Sequence, residues 1–255
     1  MLPYFRSMEA FFDLSLPKSW ADLSDPQLLF FFRQLATDKP MAEIQTLCLC
    51  QWANVLVRCR LYGSVYLVQH GKQQATLTLH QFVCAITALD FLKSFPLHPI
   101  RIWTIGKARA IAADFQGVPF SMFISADNYY QGFLHTKNDA LLKELATLLY
   151  PKVKKSKLST PLLLNAFYWF SSLKHYFARL FPHFLQPMPA DEQNLLGYAP
   201  PIGEVLRQSM NTQIRALTGG DITKEEAVLS MDTWRALTEL DAKAKEVEDI
   251  KRQTK

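Results

Sequence analysis

The chain has 255 residues and a formal net charge of +5, with 49% hydrophobic and 13% aromatic residues. This length suits one large domain or two small ones, and the aromatic residues can fill a substantial core. Only nine glycines are present, which argues against an α/β enzyme built on several Gly-rich phosphate loops, and no nucleophile elbow or P-loop motif occurs. We therefore expect a non-enzymatic protein without a cofactor.

The first elements in chain order are an extended segment and two helices. Residues 8–16 alternate loosely and predict a strand or an extended arm. Ser24 begins a capping box, so a helix is predicted over residues 24–37. Apolar residues then recur at three- and four-residue steps from Ile44 to Cys59, which predicts a second long helix.

A hairpin and three further helices follow in the first 150 residues. His70-Gly71-Lys72 lies between two β-rich runs and predicts a small hairpin. A capping box at Thr78 predicts a helix over residues 79–95, and residues 96–118 have little regular pattern. Pro119 and Asn138 each stand where a helix begins. We interpret residues 1–150 as one helical domain with a minor β-hairpin.

The last third of the chain reads as a hinge, a connector and a helical tail. Residues 151–185 combine a lysine-rich hinge with an aromatic helix predicted over 162–181. Residues 186–255 begin with a Pro-rich connector and continue as a C-terminal helical module. Its helices are predicted over residues 203–217, from a capping box at Thr223, and over residues 232–252. The predicted fold class is mainly α.

Neither the cysteines nor the histidines form a metal-binding motif. The four cysteines lie in apolar helical patterns, and no second close pair completes a zinc site, so we interpret them as buried free thiols. They are Cys48, Cys50, Cys59 and Cys84. The six histidines are scattered, so a metal site would need tertiary contacts, and we expect none.

The chain start lacks a basic segment followed by an apolar run, so we expect no signal peptide and a cytoplasmic protein. The longest apolar stretch, residues 162–181, contains Lys174, His175 and Arg179 and is too polar to span a membrane. We therefore expect no membrane contact.

Asp127 is the strongest candidate for a chemically active side chain. It lies in the middle of an apolar helical pattern, where a carboxylate needs a partner. It could be a catalytic or metal-binding acid. It could also be a structural carboxylate bonded to a tyrosine, to Arg109 or to a helix end. We favour the structural interpretation, because no second carboxylate lies one helical turn away.

Residues 151–190 carry six basic residues and no acid, so this window has a charge of +6. Basic residues next to aromatic ones can bind nucleic acid, because cations contact phosphates and rings stack on bases. The basic residues of the hinge are Lys152, Lys154, Lys155 and Lys157. The aromatics, however, recur at helical spacing and suit core packing. Nucleic-acid binding is therefore the alternative, not the first, interpretation.

The terminal helix carries a narrow apolar stripe bordered by charges of both signs. Trp234, Leu237, Leu240 and Val247 lie along this stripe. Glu239 and Lys243 have the i, i+4 spacing that supports a free-standing helix. Such a helix either extends into solvent or pairs with another chain. We predict that these four apolar residues bind a partner, by helix-in-groove or helix-pair contacts.

Three segments resemble uncharacterised phage and prophage proteins of Bacteroides-type bacteria. They are LPKSWADLSDPQLLF at residues 16–30, SADNYYQGFLHTKND at 125–139 and ALTGGDITKEEAVLSMDTWRALTELDAKA at 216–244. The resemblance implies a place among tail-morphogenesis genes, near the tape-measure gene, where proteins often look like tail assembly chaperones. It carries over no site residue.

The resemblance also shapes the functional expectation. It implies an assembly or scaffolding protein in the bacterial host cytoplasm, whose partners are phage structural or tail proteins, the tape-measure protein among them. Self-association is a further expectation. A virion structural protein, associated with the particle, and a nucleic-acid-binding accessory protein are the alternatives.

Overall fold

The computed structural model describes residues 16–185 and 202–253. The chain forms two compact units, Met1–Pro96 and Leu97–Lys255. Within the described residues there are nine α-helices, one three-stranded sheet and one two-stranded sheet. The predicted mainly α class with a minor β component is confirmed. The extended segment predicted over residues 8–16, apart from Leu16, and the Pro-rich connector after Leu185 lie outside the described residues.

The described part of the first unit contains three α-helices, two 3₁₀ helices and an antiparallel sheet. Its elements are a 3₁₀ helix at Trp20–Asp22, α1 (Asp25–Leu35), α2 (Met41–Trp52), β1 (Val55–Tyr62), β2 (Val65–His70), β3 (Gln73–Thr78), α3 (Leu79–Thr87) and a 3₁₀ helix at Asp90–Lys93. Both predicted capping boxes are confirmed: Gln27 Oε1 accepts from the Ser24 amide at 2.9 Å, and Thr78 Oγ1 accepts from the Gln81 amide at 3.3 Å.

The prediction of a helix reaching Cys59 is wrong. Helix α2 ends at Trp52, Asn54 has a φ of 51°, and β1 begins at Val55. The β-branched side chains of Val55 and Val57 favour extended backbone, and pairing with β2 satisfies the backbone polar groups of this segment. The predicted hairpin is present as β2 and β3, with β1 as an additional edge strand.

The core of the first unit lies between the helices and one face of the sheet. Strand β2 pairs with both neighbours, and its Val68 stands opposite Val57 on one side and Ala75 on the other. Val68 and Ala75 are fully buried. Tyr66 of β2 contacts Phe82 of α3 with ring centroids 6.5 Å apart. These contacts identify the face with Tyr66, Val68 and Ala75 as the core face.

The regular elements described in the second unit are helices and one short hairpin. Its elements are β4 (Thr104–Ile105), β5 (Ala108–Arg109), α4 (Phe120–Thr136), α5 (Asp139–Leu149), a 3₁₀ helix at Lys155–Lys157, α6 (Thr160–Leu180), α7 (Ile202–Thr218), a 3₁₀ helix at Ile222–Lys224, α8 (Glu225–Ser230) and α9 (Thr233–Gln253).

The helix boundaries of the second unit follow local signals. Asn138 accepts from the Ala140 amide at 3.0 Å, and Asp232 accepts from the Trp234 amide at 2.9 Å, as N-caps do. The capping box predicted at Thr223 is wrong, because Asp221 instead accepts from the Thr223 amide at 3.0 Å and opens a 3₁₀ turn. Gly219 and Gly220 both have positive φ angles and end α7 as predicted.

Helix α6 is the central helix of the second unit. It buries Trp169, Phe170 and Phe177 completely, against apolar residues of α4, α5 and α9. The aromatic side chains that were predicted to pack in this helix therefore fill the core of the second unit.

None of the helices in the described part of the chain is long and apolar enough to cross a membrane.

The division at residue 96 differs from the domain boundary predicted at residue 150. Tyr150, which follows α5, contacts Trp169 of α6 with ring centroids 5.7 Å apart. Leu149 and Leu163 belong to the same buried cluster. The lysine-rich segment between α5 and α6 thus connects two helices of one core, because apolar residues on both sides of it pack together.

Candidate interaction surfaces

The apolar stripe of α9 is mostly buried in the second unit. Leu237 and Leu240 belong to its core, at 0% and 3% exposure. The Trp234 indole packs against Phe177, with ring centroids 5.7 Å apart, and its N–H donates to the Asp114 carbonyl at 2.7 Å. Val247, by contrast, is 50% exposed. Of the four predicted partner-binding residues, only Val247 is exposed.

The charged residues of α9 hold the helix to its own unit. Asp241 accepts from the backbone amides of His183 and Phe184 at 2.8 and 2.9 Å. Lys243 donates to the Ala216 carbonyl at 2.6 Å, and Glu248 lies 3.1 Å from His183 Nδ1. These contacts replace the predicted pairing along the helix, so α9 is docked and not free-standing.

Asp127 forms an ion pair with Lys174 of α6. Its Oδ1 lies 3.0 Å from the Lys174 ammonium nitrogen, and both side chains are 22% exposed. One helical turn away, the Tyr130 hydroxyl donates to Ser171 Oγ at 3.2 Å. Burial raises the pKa of Tyr130, the Ser171 hydrogen bond opposes this shift, and the Asp127 charge adds to it. The arrangement supports the structural interpretation of Asp127, as a cross-link between α4 and α6.

The four hinge lysines lie on the surface. Lys152, Lys154, Lys155 and Lys157 are all exposed, and Lys155 forms an ion pair with Glu144 of α5. Three of the four therefore keep charges that no described acidic side chain neutralises.

A second basic segment lies near the hinge. The guanidinium carbons of Arg101 and Arg109 lie 4.1 and 5.4 Å from the centre of the Trp103 ring, which is half exposed. The backbone next to these residues is fixed to the end of α5, because the Ile111 amide donates to the Leu149 carbonyl at 3.1 Å. The structure thus adds an Arg-Trp-Arg group to the basic surface near the lysines.

The cysteines differ in their surroundings. Cys48 is buried and Cys50 is partly buried, whereas Cys59 and Cys84 are exposed. The prediction of four buried thiols is therefore correct for Cys48, correct in part for Cys50 and wrong for Cys59 and Cys84. Cys84 Sγ lies 3.6 Å from His80 Nε2. No group of three or more His, Cys, Asp or Glu side chains among the described residues is arranged to hold a metal ion.

Strand β1 carries four exposed large apolar side chains. Every residue of this strand after Val55 is exposed. Tyr62 is 73% exposed and Leu56 is 52% exposed, and Val57 and Leu61 are the other large apolar residues. We call these four side chains the β1 surface.

Sequence reasoning missed the β1 surface because residues 55–59 also fit a helical period. Two signals favour the strand. Gly63-Ser64 is a two-residue hairpin connection between runs rich in Val, Leu and Tyr. Basic and apolar residues also alternate from Val57 to Leu61.

Comparison of the chain with protein-family models, with curated proteins and with solved structures finds no match.

Proposed function

We propose that this chain is a non-enzymatic assembly or scaffolding protein that acts by binding other proteins. The observation that carries the proposal is the β1 surface, where Leu56, Val57, Leu61 and Tyr62 are exposed on one strand, Leu56 and Tyr62 on the face away from the core and Val57 on the other face. Several exposed apolar side chains on one edge strand suit an interaction site, because covering them removes apolar surface from water. The assignment to phage tail assembly, in the bacterial cytoplasm, depends on the sequence resemblance.

The proposal also includes contact through a helix, limited to the distal part of α9. Val247 and Ile250 lie three residues apart on α9 and are 50% and 63% exposed. They follow Leu240, which is buried in the core of the unit. A partner helix can therefore use the distal part of α9, while Trp234, Leu237 and Leu240 hold the proximal part in place.

Site-specific photo-cross-linking in cells that express this chain tests the proposed function. A photoreactive phenylalanine analogue replaces Tyr62 or Val247, and it replaces the exposed residues Lys72 and Ile222 as matched controls in the same two units. We expect a discrete adduct with a second protein at position 62 or 247 and none at the controls. The same adducts at all four positions, or none at 62 and 247, would contradict the proposal.

The identity of the adduct separates the two phage roles. An adduct with a tape-measure or other tail protein, in cells that assemble particles, supports an assembly factor. Immunoblotting of purified particles then distinguishes a transient factor from a virion structural protein, because only the latter stays in the particle.

Nucleic-acid binding is a second candidate, favoured by the Arg101-Trp103-Arg109 group next to the hinge lysines. Guanidinium groups ordered on an aromatic ring suit phosphate contacts. Changing Lys152, Lys154, Lys155 and Lys157 to Gln tests it by gel shift with long DNA. If the segment binds phosphates, the slope of log affinity against log salt falls by roughly one per lysine that contacts a phosphate. Changing exposed Lys137, Lys143, Lys245 and Lys251 to Gln is the matched control.

A further inference from the structure

We propose that β1 binds an extended acidic segment of the partner protein, which adds to the sheet as a fourth strand. This inference rests on the proposed function, because it assumes a protein partner, and it specifies that partner's conformation and charge.

The sheet has a long open edge at β1. Among the described strands the order is β1-β2-β3, so within that part of the chain β1 pairs with β2 alone, and it is eight residues long. All seven residues after Val55 are exposed, and no described residue outside β2 hydrogen-bonds to the backbone of Val55–Tyr62. An edge strand presents backbone N–H and C=O groups to an added strand, which supplies affinity through main-chain hydrogen bonds.

The charge around β1 determines the preferred occupant. Residues 44–89 contain no Asp or Glu, while Arg58 and Arg60 lie on β1 itself. Arg58 donates through Nε to Gln69 Oε1 at 2.7 Å, and Arg60 donates through Nε to the Gly63 carbonyl. Neither guanidinium forms an ion pair with a described carboxylate. Their terminal nitrogens therefore suit carboxylates of an incoming strand.

A second copy of this chain fits the same edge less well. Antiparallel pairing of β1 with itself, centred on Cys59, would place Arg58 opposite Arg60 of the other copy. Like charges directly opposite each other on paired strands destabilise the pair. A strand that carries acids meets complementary charges instead.

The register of the sheet predicts the pattern of the added strand. Leu56, Cys59 and Tyr62 pair with Gln69, Leu67 and Val65, on the face opposite the core-facing Val68. Arg60 pairs with Tyr66, on the core side. Arg58 instead contacts Gln69, on the face with Leu56. An added strand therefore matches β1 when it carries acidic side chains that reach Arg58 and Arg60, together with apolar side chains beside Leu56 and Tyr62.

Edge protection is the competing interpretation. Two register shifts interrupt the pairing of β1 with β2, between Val57 and Cys59 and between Arg60 and Tyr62. Bulges and charged residues on an edge strand can prevent unwanted pairing. Protection does not account for the exposed apolar side chains of the β1 surface, and a binding experiment separates the two interpretations.

The test uses the full chain and a fluorescein-labelled, end-capped nine-residue peptide that alternates valine and glutamate. We expect a saturable rise in fluorescence anisotropy at low salt that weakens as salt is added. The double variant Arg58→Gln/Arg60→Gln should weaken binding about tenfold, equivalent to about 1.4 kcal/mol. Lys72→Gln, in the turn between β2 and β3, is the control and should change affinity less than twofold. Circular dichroism confirms that each variant is folded.

Backbone pairing has its own readout. Hydrogen exchange should slow in residues 55–62 when the peptide binds, and a peptide N-methylated at every second residue should bind at least tenfold more weakly. Equal binding of the N-methylated peptide, binding of a valine-lysine peptide, or protection of β3 instead of β1 would overturn the inference. Concentration-dependent protection of β1 without peptide would show that a second copy occupies the edge.

The two proposals fail separately. Cross-linking at position 62 with no peptide binding would leave the protein-binding function in place and remove strand addition. Peptide binding with no cellular adduct at position 62 or 247 would leave strand addition at β1 in place and remove the protein-binding function in cells.

Discussion

At the scale of single residues, the Asp127–Lys174 pair is the clearest case of a charge placed for structure. The pair joins α4 to α6 at 3.0 Å, and each side chain is 22% exposed. Phe123 lies under the lysine, with the ammonium nitrogen 5.8 Å from the ring centre. Removing one partner leaves the other charge partly buried without compensation.

A double-mutant cycle measures this contribution. Lys174→Met should lower the free energy of unfolding by about 2 kcal/mol, less than for a fully buried pair because water screens the site. Asp127→Asn should have a similar effect, and the double variant should lose about 1 kcal/mol less than the sum. Urea unfolding of the four proteins checks this. Strictly additive losses would show that the two side chains do not interact.

Cys48 is a residue whose burial has a measurable consequence for pH dependence. Burial raises the pKa of its thiol from 9.0 to about 12. The folded chain therefore keeps the thiol neutral where the unfolded chain ionises it. The contribution of the neutral Cys48 thiol to the free energy of unfolding is fully present below pH 9 and is lost as the pH rises from 9 towards 12.

The prediction for Cys48 concerns alkaline unfolding. Between pH 9 and pH 10.5, ionisation of this thiol in the unfolded chain should lower the free energy of unfolding by about 1 kcal/mol per pH unit. Cys48→Ala should be less stable at pH 8 but should show a flatter decline. Urea unfolding at each pH is the measurement. An equal decline in both proteins would mean that the thiol ionises alike in the folded and unfolded chains.

At the scale of elements, α9 combines a buried and an exposed section on one helix. Its start is fixed to the start of α4, because the Phe120 amide donates to the Met231 carbonyl at 2.8 Å and the Thr233 amide donates to the Val118 carbonyl at 2.9 Å. Leu237 and Leu240 then enter the core, and Val247 faces outward. The helix is therefore a core element with one remaining contact surface.

Two alanine substitutions separate these sections of α9. Leu237→Ala should lower the free energy of unfolding by about 2–4 kcal/mol, because it opens a cavity in the core. Val247→Ala should change it by less than about 0.5 kcal/mol and should reduce partner cross-linking by a photoreactive residue placed at position 250. Urea unfolding and the cross-linking assay check both results. Equal stability losses would mean that Val247 is packed as firmly as Leu237.

At the scale of the whole molecule, each unit has its own set of buried apolar contacts. The core cluster of the second unit runs from Ile105 to Leu240 and contains no residue before position 97. Trp20 and Phe31 of the first unit contact each other with ring centroids 5.2 Å apart. Separate cores predict that the second unit can fold without the first.

Truncation tests this independence. A fragment of residues 97–255 should be helical by circular dichroism and should unfold cooperatively in urea. A fragment of residues 151–255 should not, because it lacks Phe123 and Leu145, which complete the core around α6. Cooperative unfolding of the shorter fragment would place the folding boundary near residue 150, where the sequence predicted it.

Local signals in the sequence determined the helical class and most helix ends. Thr78, Asn138 and Asp232 accept from backbone amides within three residues, and the Ser24 amide donates to the side chain of Gln27, so these helix starts can be read without the fold. Gly219 and Gly220 end α7 because glycine adopts positive φ without steric cost.

Only the tertiary structure decided between alternatives that share one local pattern. Residues 55–59 fit a helical period, but pairing with β2, through residues up to fifteen positions away, makes them a strand. The stripe from Trp234 to Val247 likewise fits both a free interaction helix and a core helix. Phe177 and Asp114 come from distant parts of the chain to cover Trp234. Burial depends on such non-local neighbours, which a periodic pattern does not specify.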